Sequence, residues 1–314
     1  MAFRKVRRIV ASMALLVAGG VASCAARTPA SSSMPVGGTS SDWAWFDRAV
    51  GPTHIYRNFD NGFHFATWTA SEAHALHPHA PRYDYSFNVP PAAVVAGNWD
   101  ARIGTFVAST PRNTILSLWH EPEQEIERGL YTAAQFRAMM VRFKRLVDAQ
   151  NARDGGRRLV SVVLMVSTFT GFKGRDPNTY WPGSAGADLI AVDAYGSPSG
   201  TNTDRYPAGY TDGRRWRTAA TLLTPVHTFA VNKNTRWGVS EFGYLIDVNN
   251  PAHKAHTITD GVAYARSHGA VMFEYYDSFG SRADWRLRYQ APPVPSTSYA
   301  SDAVRALRAA IHHS

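Results

Sequence analysis

The sequence predicts an α/β protein of the (β/α)8 barrel kind, built as a single domain. Three observations predict it. Short apolar or aromatic runs alternate with longer stretches of helical periodicity, the pattern of a parallel sheet covered by helices. Eight strand-like runs can be counted. A 23-residue leader leaves 291 of the 314 residues, and such a barrel needs ~250.

The leader comes first. Residues 1–8 carry Arg4, Lys5, Arg7 and Arg8, and 9–21 is a short apolar run with small residues near its end. Residues 1–23 read as a secretory signal, too short for a transmembrane span. Val21-Ala22-Ser23-Cys24 resembles a bacterial lipobox, in which the cysteine is lipidated and becomes the first residue. The expected location is extracytoplasmic: lipid-anchored at the cell membrane through Cys24, or secreted if that cysteine is unmodified. Cys24 is the only cysteine, so no internal disulfide can form. Residues 24–34 are rich in Ser, Ala, Pro and Thr without periodicity, a flexible tether. The domain proper is 35–314.

Within it, 35–39 is the first strand and Trp43–Val50 a short helix. Strands two and three fall at 53–59 and 82–89, with a helix over 94–108. Strand four, 114–120, is stopped by Glu121 and Pro122, since proline cannot extend a ladder. Thr132 is placed to cap a helix over 133–151 that carries Phe136, Met140, Phe143 and Val147 at helical spacing. Strand five, 158–166, is almost wholly apolar, as a strand buried on both faces should be. Strand six is 188–195. A helix over 217–230 contains Pro225, which should kink or split it. Strand seven, 236–240, ends on Glu241 with Gly243 two residues on. A helix over 253–268, strand eight at 270–276 and a closing helix Ser298–His312 complete the chain.

Composition removes several classes of function. The formal charge is +9, but four of the basic residues lie in the leader, so the remainder is about +5 and holds no dense Lys/Arg run. Nucleic acid is not an expected partner. There is no Gly-rich phosphate loop, HExxH or convincing GxSxG. His74, His77 and His79 lie close together, but Pro78 interrupts them and no carboxylate follows at ligand spacing. They read as a solvated loop, and neither a metal nor another cofactor is expected. Nine Trp and 14 Tyr supply core, and also the flat faces on which sugars stack.

The chemistry points to two glutamates. Glu121 and Glu241, 120 positions apart, each terminate a buried-looking strand. A carboxylate there is costly unless it has a partner or a task. On the strand count they end strands four and seven, and active groups in such barrels sit at the C-terminal strand ends. Paired carboxylates are the equipment of glycoside hydrolysis.

At these residues the chain resembles clan A of the glycoside hydrolases, whose acid/base and nucleophile are glutamates ending strands four and seven. His120 stands before the first glutamate where most of the clan has Asn, and this resembles glycoside hydrolase family 26. Tyr56-Arg57-Asn58-Phe59 resembles the family's Y-R-x-F. Tyr180-Trp181-Pro182-Gly183 followed by Asp188 through Tyr195 resembles its W-P-G…D-x-x-x-x-D-x-Y segment. Val239-Ser240-Glu241-Phe242-Gly243 resembles its S-E-F-G. The chain departs from the mannanases of that family after Glu121, where Pro122-Glu123-Gln124-Glu125-Ile126 replaces an aromatic-rich stretch. It departs again at Phe273-Glu274-Tyr275-Tyr276, which lacks the strand-eight tryptophan.

The resemblance implies a retaining endo-β-glycanase, β-mannanase-like, cleaving β-linked polysaccharide by double displacement. Glu241 would be the nucleophile, kept ionised by Arg57 and by the Tyr195 hydroxyl. Glu121 would be the acid/base, its pKa raised by an ionised Glu241 roughly 5–5.5 Å away. His120 would orient Glu121 or contact a sugar hydroxyl. Trp181, Trp68 and Trp285 are candidate stacking platforms. Glu274, inside strand eight, is either a substrate contact or a carboxylate behind the site. Asp193 shares the parity of Tyr195 and reads as buried polar support. The expected partner is a poly- or oligosaccharide, the protein a monomer meeting the membrane only through its lipid. A different class also fits, a non-catalytic glycan-binding lipoprotein that keeps the barrel.

Overall fold

The strands form where β-branched and aromatic residues cluster, and they close a ring. In the computed structural model, which describes residues 34–196, 217–245, 252–278, 285–287 and 298–313, eight strands pair in parallel and in chain order. They are β1 Val36–Ser40, β2 Tyr56–Asp60, β3 Tyr83–Phe87, β4 Ile115–Leu118, β5 Leu159–Met165, β6 Leu189–Gly196, β7 Arg236–Tyr244 and β8 Phe273–Asp277. The barrel closes between β1 and β8, in register from Val36 opposite Phe273 to Ser40 opposite Asp277. At the β1–β2 seam a side chain on Gly37 would collide with the carbonyl oxygen of Ile55, so only glycine lets the two backbones approach. The signal, Cys24 and all of the tether except Met34 lie outside the described residues. No described helix is long and apolar enough to cross a membrane.

The helices are α1 Trp43–Val50, α2 Glu72–Leu76, α3 Pro91–Val95, α4 Asp100–Ser109, α5 Pro122–Glu127, α6 Ala133–Asp154, α7 Val166–Phe169, α8 Pro177–Tyr180, α9 Ala219–Asn232, α10 His253–Ser267 and α11 Ser298–His312. Thr132 and Gln135 form a reciprocal capping box on α6, and Gly155 ends it in the left-handed region at φ 66°. One expectation needs correction here. The helix expected over 94–108 is two helices, α3 and α4, parted at Gly97 with φ 89°. Of the two effects expected of Pro225, the split does not occur, and α9 runs through it.

The inside of the barrel changes character along its axis. Its floor is a separate apolar cluster of Ile55, Ile115, Val163, Leu189, Ala191 and Met272. One strand step further on, at the same side-chain parity, stand Arg57, Asp84, Asp193 and Glu274, all buried. Burying four charged-type side chains in one layer is costly unless they satisfy one another. The layer therefore marks where the fold gives up stability for chemistry.

Two strand ends differ from expectation, and both differences aim side chains. β7 does not stop at Ser240 but continues to Tyr244, so Glu241 lies within it. Val192 opposes Val239 and Asp193 opposes Glu241, which leaves Ser240 as an extra residue in a bulge. The bulge lets both Ser240 and Glu241 reach the interior. β4 stops at Leu118, short of His120. Trp119 and Glu121 then adopt left-handed φ of 52° each, a conformation that costs non-glycine residues ~1–3 kcal/mol and concentrates at functional turns. The histidine run is not a solvated loop throughout. His74 lies on α2, and His77 is buried, its ring stacked 3.9 Å from that of Tyr56.

Candidate active site

Arg57 on β2 is the centre of the polar layer and is fully buried. Its Nε donates to Glu241 Oε1 at 3.2 Å, and its Nη1 to Asp84 Oδ2 at 2.7 Å. Nη2 lies 3.9 Å from Asp193 Oδ2. Burial works against the guanidinium charge, but Asp84, Asp193, Glu241 and Glu274 outweigh it and hold Arg57 above its ordinary value. The hydroxyl of Ser240 donates to the same Asp84 oxygen at 2.9 Å. Two donors on one oxygen define Asp84 as the ionised partner.

Glu241 carries the second set of donors. Besides Arg57 Nε on Oε1, the Tyr195 hydroxyl donates to Oε2. Burial raises its pKa, and Arg57 and Tyr195 act against that rise. Tyr195 is itself held between two rings. Trp285 faces it at 4.7 Å with 30° between planes, and Tyr276 meets it edge-on at 5.6 Å. The Trp285 carbonyl is fixed by the Tyr275 hydroxyl at 2.8 Å and by Lys254 Nζ at 3.2 Å.

Glu121 stands on the opposite side of the mouth, at the N-cap of α5. Its own N–H donates to Val163 O at 3.0 Å, tying the turn to β5. Pro122 suits the first helical position because its missing N–H would be unpaired there. Glu123 folds back and is fully buried, its Oε1 accepting from Met165 N at 2.9 Å and from the Thr168 hydroxyl at 2.5 Å. Glu123 thereby fastens α5 to the end of β5. Burial, then Glu241, then Glu123 push the Glu121 carboxyl up to about 8, against Arg57 and Arg175. Glu121 has the repulsion without the direct donors that Glu241 enjoys, so of the two it keeps the proton.

His120, beside it, is bonded through Nδ1 to the Ser86 hydroxyl at 2.9 Å. Its ring lies 4.8 Å from that of Phe59, over which the Arg57 guanidinium sits at 4.6 Å. Burial first, and then Arg57, lower its pKa to about 3, so His120 is a neutral imidazole. It offers a hydrogen-bonding edge without adding charge. Among the described residues no group of His, Cys, Asp or Glu side chains could hold a metal ion.

The structure thus brings together Glu121, Glu241, Arg57, His120, Tyr195 and Trp285. Of three further candidates, two lie elsewhere and one is sealed inside the polar layer. Trp68 is a core residue, packed edge-on at 4.6 Å from Tyr83 and 5.4 Å from Tyr85. Those rings alternate with the inward Asp84 and so face the helix layer. Trp181 meets Phe229 of α9 edge-on at 6.4 Å, again in the helix layer. Glu274 is fully buried in the same polar layer as Arg57 and Asp84 and cannot touch a sugar. Asp84, Ser86 and Ser240 were not singled out from the sequence. The signal for the first two was present in Tyr83-Asp84-Tyr85-Ser86-Phe87, where polar residues alternate with large aromatics. In a barrel strand the aromatics go outward to the helices, and the polar set goes inside.

No family model and no curated protein sequence matches this chain. Solved structures do. One is a GH5-4 broad specificity endoglucanase from Bacteroides salanitronis, at TM-score 0.54 and 10% identity over 88% of this chain and 93% of that one. The catalytic domain of a Bacillus sp. JAMB-750 GH26 endo-beta-1,4-mannanase aligns at TM-score 0.53 and 12% identity, over 89% of this chain and 85% of the other. A Cellulomonas fimi endo-beta-1,4-mannanase double mutant aligns at 0.52 and 12%, over 87% and 70%. At such identities the likeness is one of fold, the (β/α)8 barrel of clan A enzymes of families 5 and 26.

Proposed function

We propose that this protein is a retaining glycoside hydrolase, an endo-β-glycanase acting on β-linked polysaccharide, with Glu241 as nucleophile and Glu121 as acid/base. The observation that carries the proposal is the opposed environment of two glutamates at one barrel mouth. Glu241 is gripped by a cation and a hydroxyl, while Glu121 is dehydrated and repelled by its neighbours. Glu241, ionised and aimed, attacks the anomeric carbon while Glu121 gives its proton to the departing oxygen. The glycosyl ester that results has no charge on Glu241. Burial and Glu123 still raise Glu121, but the repulsion from Glu241 is then gone, its pKa falls, and its carboxylate can act as base toward the incoming water. Trp285, half-buried and packed on Tyr195, is the tryptophan nearest the reacting centre and the candidate to stack on the sugar there. Endo action on a β-glycan is supported by the structural neighbours, an endoglucanase and two endo-beta-1,4-mannanases.

Reducing-sugar release from a panel of β-mannan, xylan, mixed-linkage glucan and bacterial cell-wall glycans tests this reading, and at least one should be cleaved. With that substrate, kcat/KM should fall as pH rises through about 8, because the protonated form of Glu121 is the active one. Glu123→Gln removes a like charge near Glu121, so the alkaline limb should move to lower pH. Inactivity on every glycan of the panel would refute the enzyme reading, and an alkaline limb indifferent to Glu123→Gln would refute the assignment of that limb to Glu121.

A further inference from the structure

Arg57 is one cation facing four carboxyls, Asp84, Asp193, Glu241 and Glu274. Four buried anions around one cation would be strongly unfavourable, so some of them hold protons. Hydrogen-bond geometry distributes the charge. Asp84 Oδ2 receives Arg57 Nη1 and the Ser240 hydroxyl, and Glu241 receives Arg57 Nε and the Tyr195 hydroxyl. Glu274 is fully buried, and no N–H or hydroxyl among the described residues reaches either of its oxygens, nor Asp84 Oδ1. The two carboxyls nonetheless lie within hydrogen-bond reach of each other. Two carboxyl groups can bond only if one proton lies between them. Asp84 already has an ion pair and a hydroxyl to stabilise its charge, so that proton belongs to Glu274.

We propose that Glu274 is a positioning residue held as a neutral carboxylic acid, whose O–H donates to Asp84 Oδ1 and so fixes the Asp84–Arg57 pair that aims Nε at Glu241. The charged and titratable groups around it agree. Glu241 from β7 repels an anion here, as does Asp84 from β3. From β1 the residue in register is Gly37, which brings no side chain. Arg57 and Arg82 are the cations that feel it, and neither forms an ion pair with it among the described residues. Burial is the first cause that raises its pKa well above the ordinary carboxylate value. Only the kinetic part of the test below rests on the hydrolase reading.

The test compares Glu274→Gln, which presents an amide N–H to Asp84 in the same volume, with Glu274→Leu, which presents nothing. The infrared spectrum at pH 8 should contain a protonated-carboxyl C=O stretch in the wild type that Glu274→Gln removes. With a substrate in hand, Glu274→Leu should lower kcat by on the order of 10- to 10²-fold with KM little changed, as expected when a reacting group is misaimed. Glu274→Gln should restore most of that loss, and the acidic limb of kcat/KM should stay where it is in the wild type. Were Glu274 ionised, Glu274→Gln would delete a negative charge beside Glu241 and shift that limb to lower pH. That shift, a spectrum with no band to lose, or a Glu274→Gln chain that fails to fold while the wild type folds would each overturn the proposal. If no glycan is cleaved, the infrared comparison still decides it.

Discussion

Glu241→Ala is expected to stop turnover, and Glu121→Ala to slow it by roughly 10²–10⁴-fold, the usual value of a positioned acid or base. The two losses should differ in kind. Without Glu241 no glycosyl-enzyme can form. Without Glu121 the nucleophile is intact, still held by Arg57 and Tyr195, and what is lost is proton assistance to the leaving group. An activated aryl glycoside needs little of that assistance, so Glu121→Ala should form the covalent intermediate and accumulate it, because no base remains for water. Azide needs no base. It should restore turnover in Glu121→Ala and give a β-glycosyl azide with retained configuration. In Glu241→Ala azide takes the nucleophile's place in a single displacement, and the product should be the α-azide. Wild-type turnover in both variants would remove these glutamates from the chemistry. Glu123 and Glu274 could not then stand in, because both side chains are fully buried.

Much of the fold was readable because a barrel repeats its evidence. Each strand is buried on both faces and reads as a short apolar run between turn signals, so an error in one strand leaves the count intact. The weakest, around Gly37 and Gly38, is legible only once the barrel exists, since those glycines answer to the carbonyls of Ile55 and Tyr275 on neighbouring strands. Parity along a single strand could not show the Ser240 bulge either. The extra residue is set by how β6 and β8 flank β7, and it turns two consecutive residues inward where alternation permits one. The left-handed turn at Glu121 is likewise fixed from outside, by β5 through Val163 O and by Glu123 reaching Met165 and Thr168. Aromatic platforms were the least readable feature. Trp68, Trp181 and Trp285 look alike as isolated tryptophans in loops, and only the packing partners separate two helix-layer residues from the one beside Tyr195.

Arg57→Met should have the largest effect on stability. The side chain fits the volume but leaves Asp84 and Glu241 facing each other without their shared cation. Breaking a buried pair by removing one partner costs ~3–5 kcal/mol, against a total stability of about 5–15 kcal/mol for an ordinary domain. The sign of the pH dependence follows from the protons. Arg57 is held above its already high pKa, so in the wild type its contribution is fully present at any ordinary pH. In Arg57→Met the carboxyls it kept ionised take up protons in the folded state, which then binds more protons than the wild-type fold does. Stability of the variant must therefore fall relative to wild type as pH rises, and the deficit should be smaller at pH 5 than at pH 8. Urea denaturation at the two pH values measures it. Arg57→Lys should recover part of the stability through its charge but little of the activity. An ammonium cannot span Asp84 and Glu241 as the guanidinium fork does. A deficit independent of pH would mean that Arg57 contributes packing alone. It would also withdraw the electrostatic argument that Glu241 is the ionised member of the pair.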